Sequence, residues 1–241
     1  MVTYGMSVGF RIVKNMIETN WCDGPLIGFD TETTGVRTDH DRIVTVALTQ
    51  SSGDRTWLIN PGVPIPQAAS RIHGVTDDVA QRDGVAPAEA LAEVAEELRR
   101  AVATGTPVVA FRAGFDLTLL SQEFDRHHID QLPWEKLLVL DPSVLDKQAD
   151  RFRRGKRRLE NVCENYGVQL KEWHSALADA TAAVELTRAI GRQFPDLGQI
   201  PVSQIHDKQV EWFAEDAASL ERFFRSKGRD ETVERRWPLA R

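Results

Sequence analysis

The chain has 241 residues, 41% of them hydrophobic and 27% charged, which excludes a disordered polymer and allows one large domain or one domain with an appendage. A formal net charge of −6 excludes a general polyanion-coating protein, which would be basic, but not an enzyme that grips nucleic acid at one local site. No apolar run approaches the ~20 residues of a membrane span, the N-terminus lacks the basic start and apolar centre of a signal peptide, and Cys22 and Cys163 form no metal or disulfide pattern, so a cytoplasmic protein without membrane contact is expected.

Strand signals come first along the chain. Residues 26–30 form an apolar run, 42–49 are rich in β-branched side chains, and 56–60 follow the turn-like SSGD. Three strands with short links predict a meander. PGVPIP reads as a loop. Leu91, Val94, Ala95, Leu98 and Val102 fall at helical spacing and predict a helix over 87–102. Residues 107–111 read as a short buried strand and 115–127 as a helix. Residues 137–140 form another short strand, ending at Asp141, and helical patterns run over 159–166 and 178–193.

The order β-β-β-α-β-α-β-α-α predicts an α/β fold with a mixed sheet and helices on its faces. From about Asp196 the pattern changes. Val210, Phe213, Ala217, Leu220 and Phe224 make an amphipathic stripe, followed by a charged tail. The expected organisation is an N-terminal segment 1–24, a main domain 25–194 and a C-terminal helical extension 195–241.

Acidic residues carry the functional signal. In GFDTETTG, Asp30 and Glu32 are one residue apart at the end of an apolar strand. Residues i and i+2 of a strand point to the same side, so two like charges share one place. A solvated strand end is the plain reading, and a phosphatase-type nucleophile (Asp-x-Asp-x-Thr) is a rival that Glu32 disfavours. Asp116, in AGFDLTLL, lies in the first helical turn after a short strand. There it suits the helix dipole, but it also sits where α/β sites gather. In WHSALADATAAVEL, His174 belongs to a loop and Asp179 to the first turn of the next helix. Four carboxylates from three segments repel unless a cation is present. Hard divalent ions take oxygen ligands, a pair of them clamps a phosphoryl displacement, and an imidazole can deprotonate the attacking water. The constellation points to metal-dependent phosphodiester hydrolysis.

With these motifs in order, residues 26–190 resemble the DEDDh 3′–5′ exonucleases of the RNase H-like fold, including the DnaQ-like epsilon proofreading subunit of bacterial DNA polymerase III and its stand-alone relatives. FDTETTG matches the first motif, AGFDLTLL the second and HSALAD the third; the family's HGVT segment occurs as His73–Thr76. The resemblance implies an RNase H-like mixed sheet and two divalent ions, Mg²⁺ or Mn²⁺. It implies that Asp30 bridges both ions, that Glu32 and Asp179 complete the site of the water-activating ion, and that Asp116 helps to hold the second. His174 is the implied general base. Thr33, Gly35 and His73 are implied substrate contacts. The implied product is a nucleoside 5′-monophosphate released from a free 3′ end. Where the family often has His-Asn, this chain has Phe111-Arg112, so Arg112 is expected to touch substrate phosphate or to pair with an acid.

RFRRGKRR, residues 151–158, holds six basic residues in eight. A solvated loop is one reading; steering of a single strand by Arg153, Arg154, Lys156 and Arg157 is the other. The expected function is 3′–5′ exonuclease activity on single-stranded or mismatched DNA ends, of the proofreading or repair type. An exoribonuclease of the same family, similar to RNase T or oligoribonuclease, is the nearest alternative, and a non-catalytic polymerase or repair-complex subunit is the alternative of another class. The C-terminal stripe is expected to pack within the chain, with a polymerase contact as its second use. Trp212, Phe213, Phe223 and Phe224 are the anchors in either case.

Overall fold

Alternating buried residues build the first strands. In β1 (Ile27–Thr33), Ile27 and Phe29 face one core, while Gly28, Asp30 and Glu32 face the other side. The computed structural model describes residues 20–170 and 175–240, so most of the expected N-terminal segment, and His174, lie outside the described residues. β1 pairs antiparallel with β2 (Ile43–Thr49), and β2 with β3 (Arg55–Leu58). This is the expected meander. β4 (Val108–Val109) and β5 (Val139–Leu140) extend the sheet in parallel on the other side of β1. The strand order β3-β2-β1-β4-β5 is the mixed sheet that the sequence predicts.

Between β3 and β4 lie α1 (Gln67–His73), α2 (Asp77–Asp83) and α3 (Pro87–Thr104). Sequence periodicity finds α3 but not α1 or α2. The reason is physical: α1 buries no residue and α2 buries only Ala80, so neither carries an apolar stripe to read. α4 (Ala113–Arg126) follows β4, α5 (Pro142–Ala149) follows β5, and α6 (Leu159–Asn165), α7 (Ala176–Gln193), α8 (Pro195–Gly198) and α9 (Val202–Ser226) complete the described helices. Among them no helix is long and apolar enough to cross a membrane.

α3 and α4 cover one face of the sheet. Leu91, Val94, Leu98, Leu117, Leu120 and Phe124 are fully buried there against Phe29, Val46 and Leu48, each side chain contributing roughly 1.5–3 kcal/mol by burial. α5, α6 and α7 cover the other face through Leu145, Val162, Cys163, Leu186 and Ile190. α9 closes the open edge of β5. His206 Nδ1 accepts from the Val139 amide at 3.1 Å, while Gln209 accepts from the Asp141 amide at 2.8 Å and donates to the Val139 carbonyl at 3.0 Å. Side chains thus satisfy backbone groups that an edge strand leaves unpaired. The tail returns across the first core, where Trp237 is buried and the Ala240 amide donates to Thr118 Oγ1 at 2.9 Å.

Gly28 sets the distance between β1 and α7. A Cβ at this position would lie 2.6 Å from the Ala180 carbonyl oxygen of α7 and 2.5 Å from Thr49 Cγ2 of β2. Only glycine admits so close an approach. Gly28→Ala is expected to destabilise the protein by roughly 1–3 kcal/mol through overpacking. The displaced helix carries Asp179, so the same change should also shift that carboxylate relative to β1; chemical denaturation of the variant checks the loss of stability.

Candidate active site

The site forms at the end of β1, where the strand emerges from the core. Asp30 and Glu32 lie on the face toward α7, and α7 brings in Asp179 from its first turn. Ser175 caps that turn by accepting from the Ala178 amide at 3.2 Å. One oxygen each from Asp30, Glu32 and Asp179 falls within a common 4.8 Å. The three half-buried carboxylates converge from two elements that are distant in sequence.

Asp116 reaches the strand end from α4, on the opposite face. It is nearly fully buried, and Thr31 Oγ1 donates to its Oδ1 at 2.6 Å. Thr31 points to that face because it alternates with Asp30 and Glu32. Its role is not visible in the motif, where it reads as one threonine among several; the alternation in DTET is the signal that could have found it.

Electrostatics at the cluster are unfavourable without a cation. Burial, and then the charges of Asp116, Asp179 and Glu32, raise the Asp30 carboxyl well above the usual carboxylate range. Burial, with Asp179 and Asp116, pushes Glu32 up to about 8. Asp116 is pushed up to about 7 by burial, against the lowering effect of the Thr31 hydrogen bond. Shifts of this kind in a cleft mark functional sites. The converging donors Asp30, Glu32 and Asp179 are all carboxylates, with no thiolate or imidazole among them. Such a set suits a hard divalent cation, and a cation there would relieve the repulsion that raises these pKa values.

Around the cluster, Thr33 Oγ1 donates to the Gly35 carbonyl at 2.7 Å. Gly35 packs against Asp41, whose Oδ2 would lie 2.6 Å from a Cβ at that position. Asp41 also accepts from Thr34 Oγ1 at 3.0 Å and from the Arg37 amide at 2.7 Å. The glycine therefore has a structural reason, the folding of loop 34–41 around one carboxylate. His73 stands at the end of α1 with its ring against the Thr33 backbone, and burial lowers its pKa. His174 immediately precedes the Ser175 cap in sequence.

Arg112 departs from the expectation that it pairs with an acid. It makes no ion pair among the described residues, and its side chain donates to the Arg157 carbonyl at 3.3 Å. Its backbone is left-handed, with φ 62° and ψ 44°. Asparagine tolerates that region better than most residues, and this chain places an arginine in it. The strained turn is held by Asp141, whose carboxylate accepts from the Arg112 and Ala113 amides at 3.0 Å each. Asp141 is a positioning residue absent from the sequence-level site. Its position at the end of β5 before Pro142 was the available signal.

The basic run divides in two. Arg153 and Arg157 both turn onto the fully buried Asp146 of α5, with Arg153 Nη2 at 3.0 Å from Oδ2. Arg154 and Lys156 remain exposed. Two of the four cations expected to steer a strand are thus engaged in holding the loop.

A family model described as an exonuclease, of the RNase T type, matches residues 27–187. The chain belongs to this exonuclease family. The family's span runs from β1 to α7, the two elements that bring Asp30, Glu32 and Asp179 together. Among relatives, the chain is 32% identical over 174 residues to a DNA polymerase III subunit epsilon-like protein of Rhodobacter capsulatus, a match that covers 65% of this chain and 22% of that protein. It therefore spans under a quarter of that relative's length. It is 28% identical over 165 residues to the DNA polymerase III subunit epsilon of Treponema pallidum, covering 66% of this chain and 72% of the relative. Escherichia coli exonuclease I in complex with a dT13 oligonucleotide superposes with a TM-score of 0.62 at 19% identity, over 73% of this chain and 43% of exonuclease I. The fold of this exonuclease-family chain is accordingly RNase H-like.

Proposed function

We propose that the chain is a divalent-metal-dependent 3′–5′ exonuclease that hydrolyses the terminal phosphodiester of DNA and releases nucleoside 5′-monophosphates. The observation that carries this reading is the convergence of Asp30, Glu32 and Asp179 within 4.8 Å, beside a buried Asp116. Two ions, Mg²⁺ or Mn²⁺, suit the site. When bound, they supply Lewis-acid polarisation of the phosphoryl oxygens and lower the pKa of bound water.

This chain's own residues would do the rest. Asp30 feels the charges of Asp116, Asp179 and Glu32 together and would serve both ions. Thr31 holds the Asp116 carboxylate in place through its 2.6 Å hydrogen bond. His174 would take the proton from the attacking water, a role that rests on the HSALAD motif. Thr33, Gly35 and His73, gathered at the end of β1, would meet the terminal nucleotide. Arg112, Arg154 and Lys156 are the cations left for the backbone of the strand.

DNA as substrate is supported by the epsilon-type relatives and by the oligodeoxynucleotide bound in exonuclease I. A cytoplasmic setting and contact with a polymerase through the C-terminal extension are part of the same reading. The domain division at residues 24/25 and 194/195 is proposed with it, although α9 and Trp237 pack on the catalytic unit.

Side-by-side digestion of 3′-labelled single-stranded DNA, duplex DNA with a 3′ mismatch and RNA, with Mn²⁺, tests the reading. The DNA ends should be shortened fastest, and chelation should stop the reaction. His174→Ala should slow it by about 10²–10⁴-fold, the usual contribution of a positioned base. Full activity in that variant would refute the assigned base, and faster RNA digestion would select the exoribonuclease alternative.

A further inference from the structure

The loop 150–158 between α5 and α6 is built around one buried anion. Asp146 is completely buried, and Arg153 and Arg157 both bond its Oδ2. Arg157 also donates to the Asp150 carbonyl, and Gly155 makes a left-handed turn at φ 100° between the two anchors. With Arg153 and Arg157 turned inward, Arg154 and Lys156 between them and Arg151 and Phe152 just before them are turned out. Phe152 is 90% exposed, and Arg151, Arg154 and Lys156 are exposed and make no ion pair among the described residues.

A single exposed apolar residue is ordinary. Here, however, a phenyl ring is held out from an anchored loop among unpaired cations. That combination, a π-face with positive charge beside it, is the chemistry of single-strand recognition, in which bases stack and phosphates pair with cations. The loop also touches the catalytic unit. Arg112 donates to the Arg157 carbonyl, and Arg112 immediately precedes the helix that carries Asp116. The exposed Arg112 side chain at the start of α4 thus lies against the loop.

We propose that Phe152 is a base-stacking platform for the single-stranded substrate, on the 5′ side of the nucleotide being removed, with Arg154 and Lys156 on the flanking phosphates. The proposal rests on the exonuclease reading and adds to it where the strand lies and which residue grips a base.

The test uses the full chain with Phe152→Ala, Phe152→Leu and Phe152→Trp, and two substrates. One is a long DNA single strand; the other is the p-nitrophenyl ester of thymidine 5′-monophosphate, which has one nucleotide and cannot reach a platform for a second base. Phe152→Ala should raise KM for the strand about tenfold, the scale of one lost stack. It should leave kcat and ester turnover unchanged. Trp should restore the strand KM and Leu should not. Moving a single abasic site along the strand should find one position that costs the wild type a similar factor and costs Phe152→Ala nothing further. An unchanged strand KM, equal losses on both substrates, or restoration by Leu would overturn the proposal. A wild type that turns over neither substrate would instead overturn the exonuclease reading on which it rests.

Discussion

Asp30→Asn is expected to lower metal-dependent digestion of a single strand by about a thousandfold or more and, at the same time, to raise the melting temperature of the metal-free protein. The first effect follows because Asp30 interacts with Asp116, Asp179 and Glu32 together, and losing several kcal/mol of charge stabilisation costs about a factor of ten per 1.4 kcal/mol. The second follows from repulsion. Burial and three neighbouring carboxylates raise the Asp30 pKa, so its charge destabilises the folded chain until a cation arrives. Relief of about 1–2 kcal/mol would lift the melting temperature by roughly 2–8 °C in a protein of this size.

The pH dependence has a definite sign. Unfolded carboxylates titrate near pH ~4, whereas folded Glu32 sits at about 8 and Asp116 at about 7. Between those limits the folded chain holds protons that the unfolded chain has released. The contribution of these groups to metal-free stability is full below pH ~4 and is lost as pH rises through roughly 7–8. Saturating Mn²⁺ should reverse the loss in the wild type, because ligand binding to the folded state stabilises it, and should do so much less in Asp30→Asn. Calorimetry with and without Mn²⁺ across this range checks the linkage. A lower metal-free melting temperature in Asp30→Asn would sink it.

Asp141→Leu should cost more stability than any single change in the metal cluster. Its carboxylate accepts from the amides of Arg112, Ala113 and Ser143 at 3.0, 3.0 and 2.8 Å, and it is almost fully buried. Each amide left unpaired costs about 1–3 kcal/mol, so with three of them a loss of at least roughly 3 kcal/mol is expected. The left-handed Arg112 is held by two of those bonds, and relaxation of that turn moves the start of α4, where Asp116 lies one turn in. Asp141→Asn keeps one acceptor oxygen and should fall between. In a folded Asp141→Asn protein, kcat should drop while KM for the strand changes little, since Asp141 acts on the position of Asp116 and not on the strand. Chemical denaturation and steady-state kinetics on that variant give the two readouts; unchanged stability in Asp141→Leu would refute the role.

Much of the site was legible in the residues themselves. Asp30 and Glu32 had to share a side of one strand because strands alternate, and Asp179 and Asp116 had to lie in first helical turns because apolar periodicity begins beside them. The meander, the mixed sheet and α3, α4, α7 and α9 follow from apolar spacing along short stretches. Short helices that bury almost nothing, α1 and α2, leave no such trace. His73 could be read from the HGVT segment, but its seat against Thr33 could not.

The order of the acids, their chemistry and the fold class were determined by sequence alone, because periodicity and motif spacing are properties of neighbouring residues. The tertiary structure decided what depends on contacts between remote segments. Gly28 lets α7 close on β1 and so brings Asp179 to Asp30. Thr31 ties Asp116 to the strand from the far face, and Asp141 clamps a turn 29 residues away. Asp146 draws Arg153 and Arg157 inward and leaves Phe152 outside. Which cation serves the fold and which is free for a ligand is settled by where a buried anion lies, and a charge run in sequence carries no record of that.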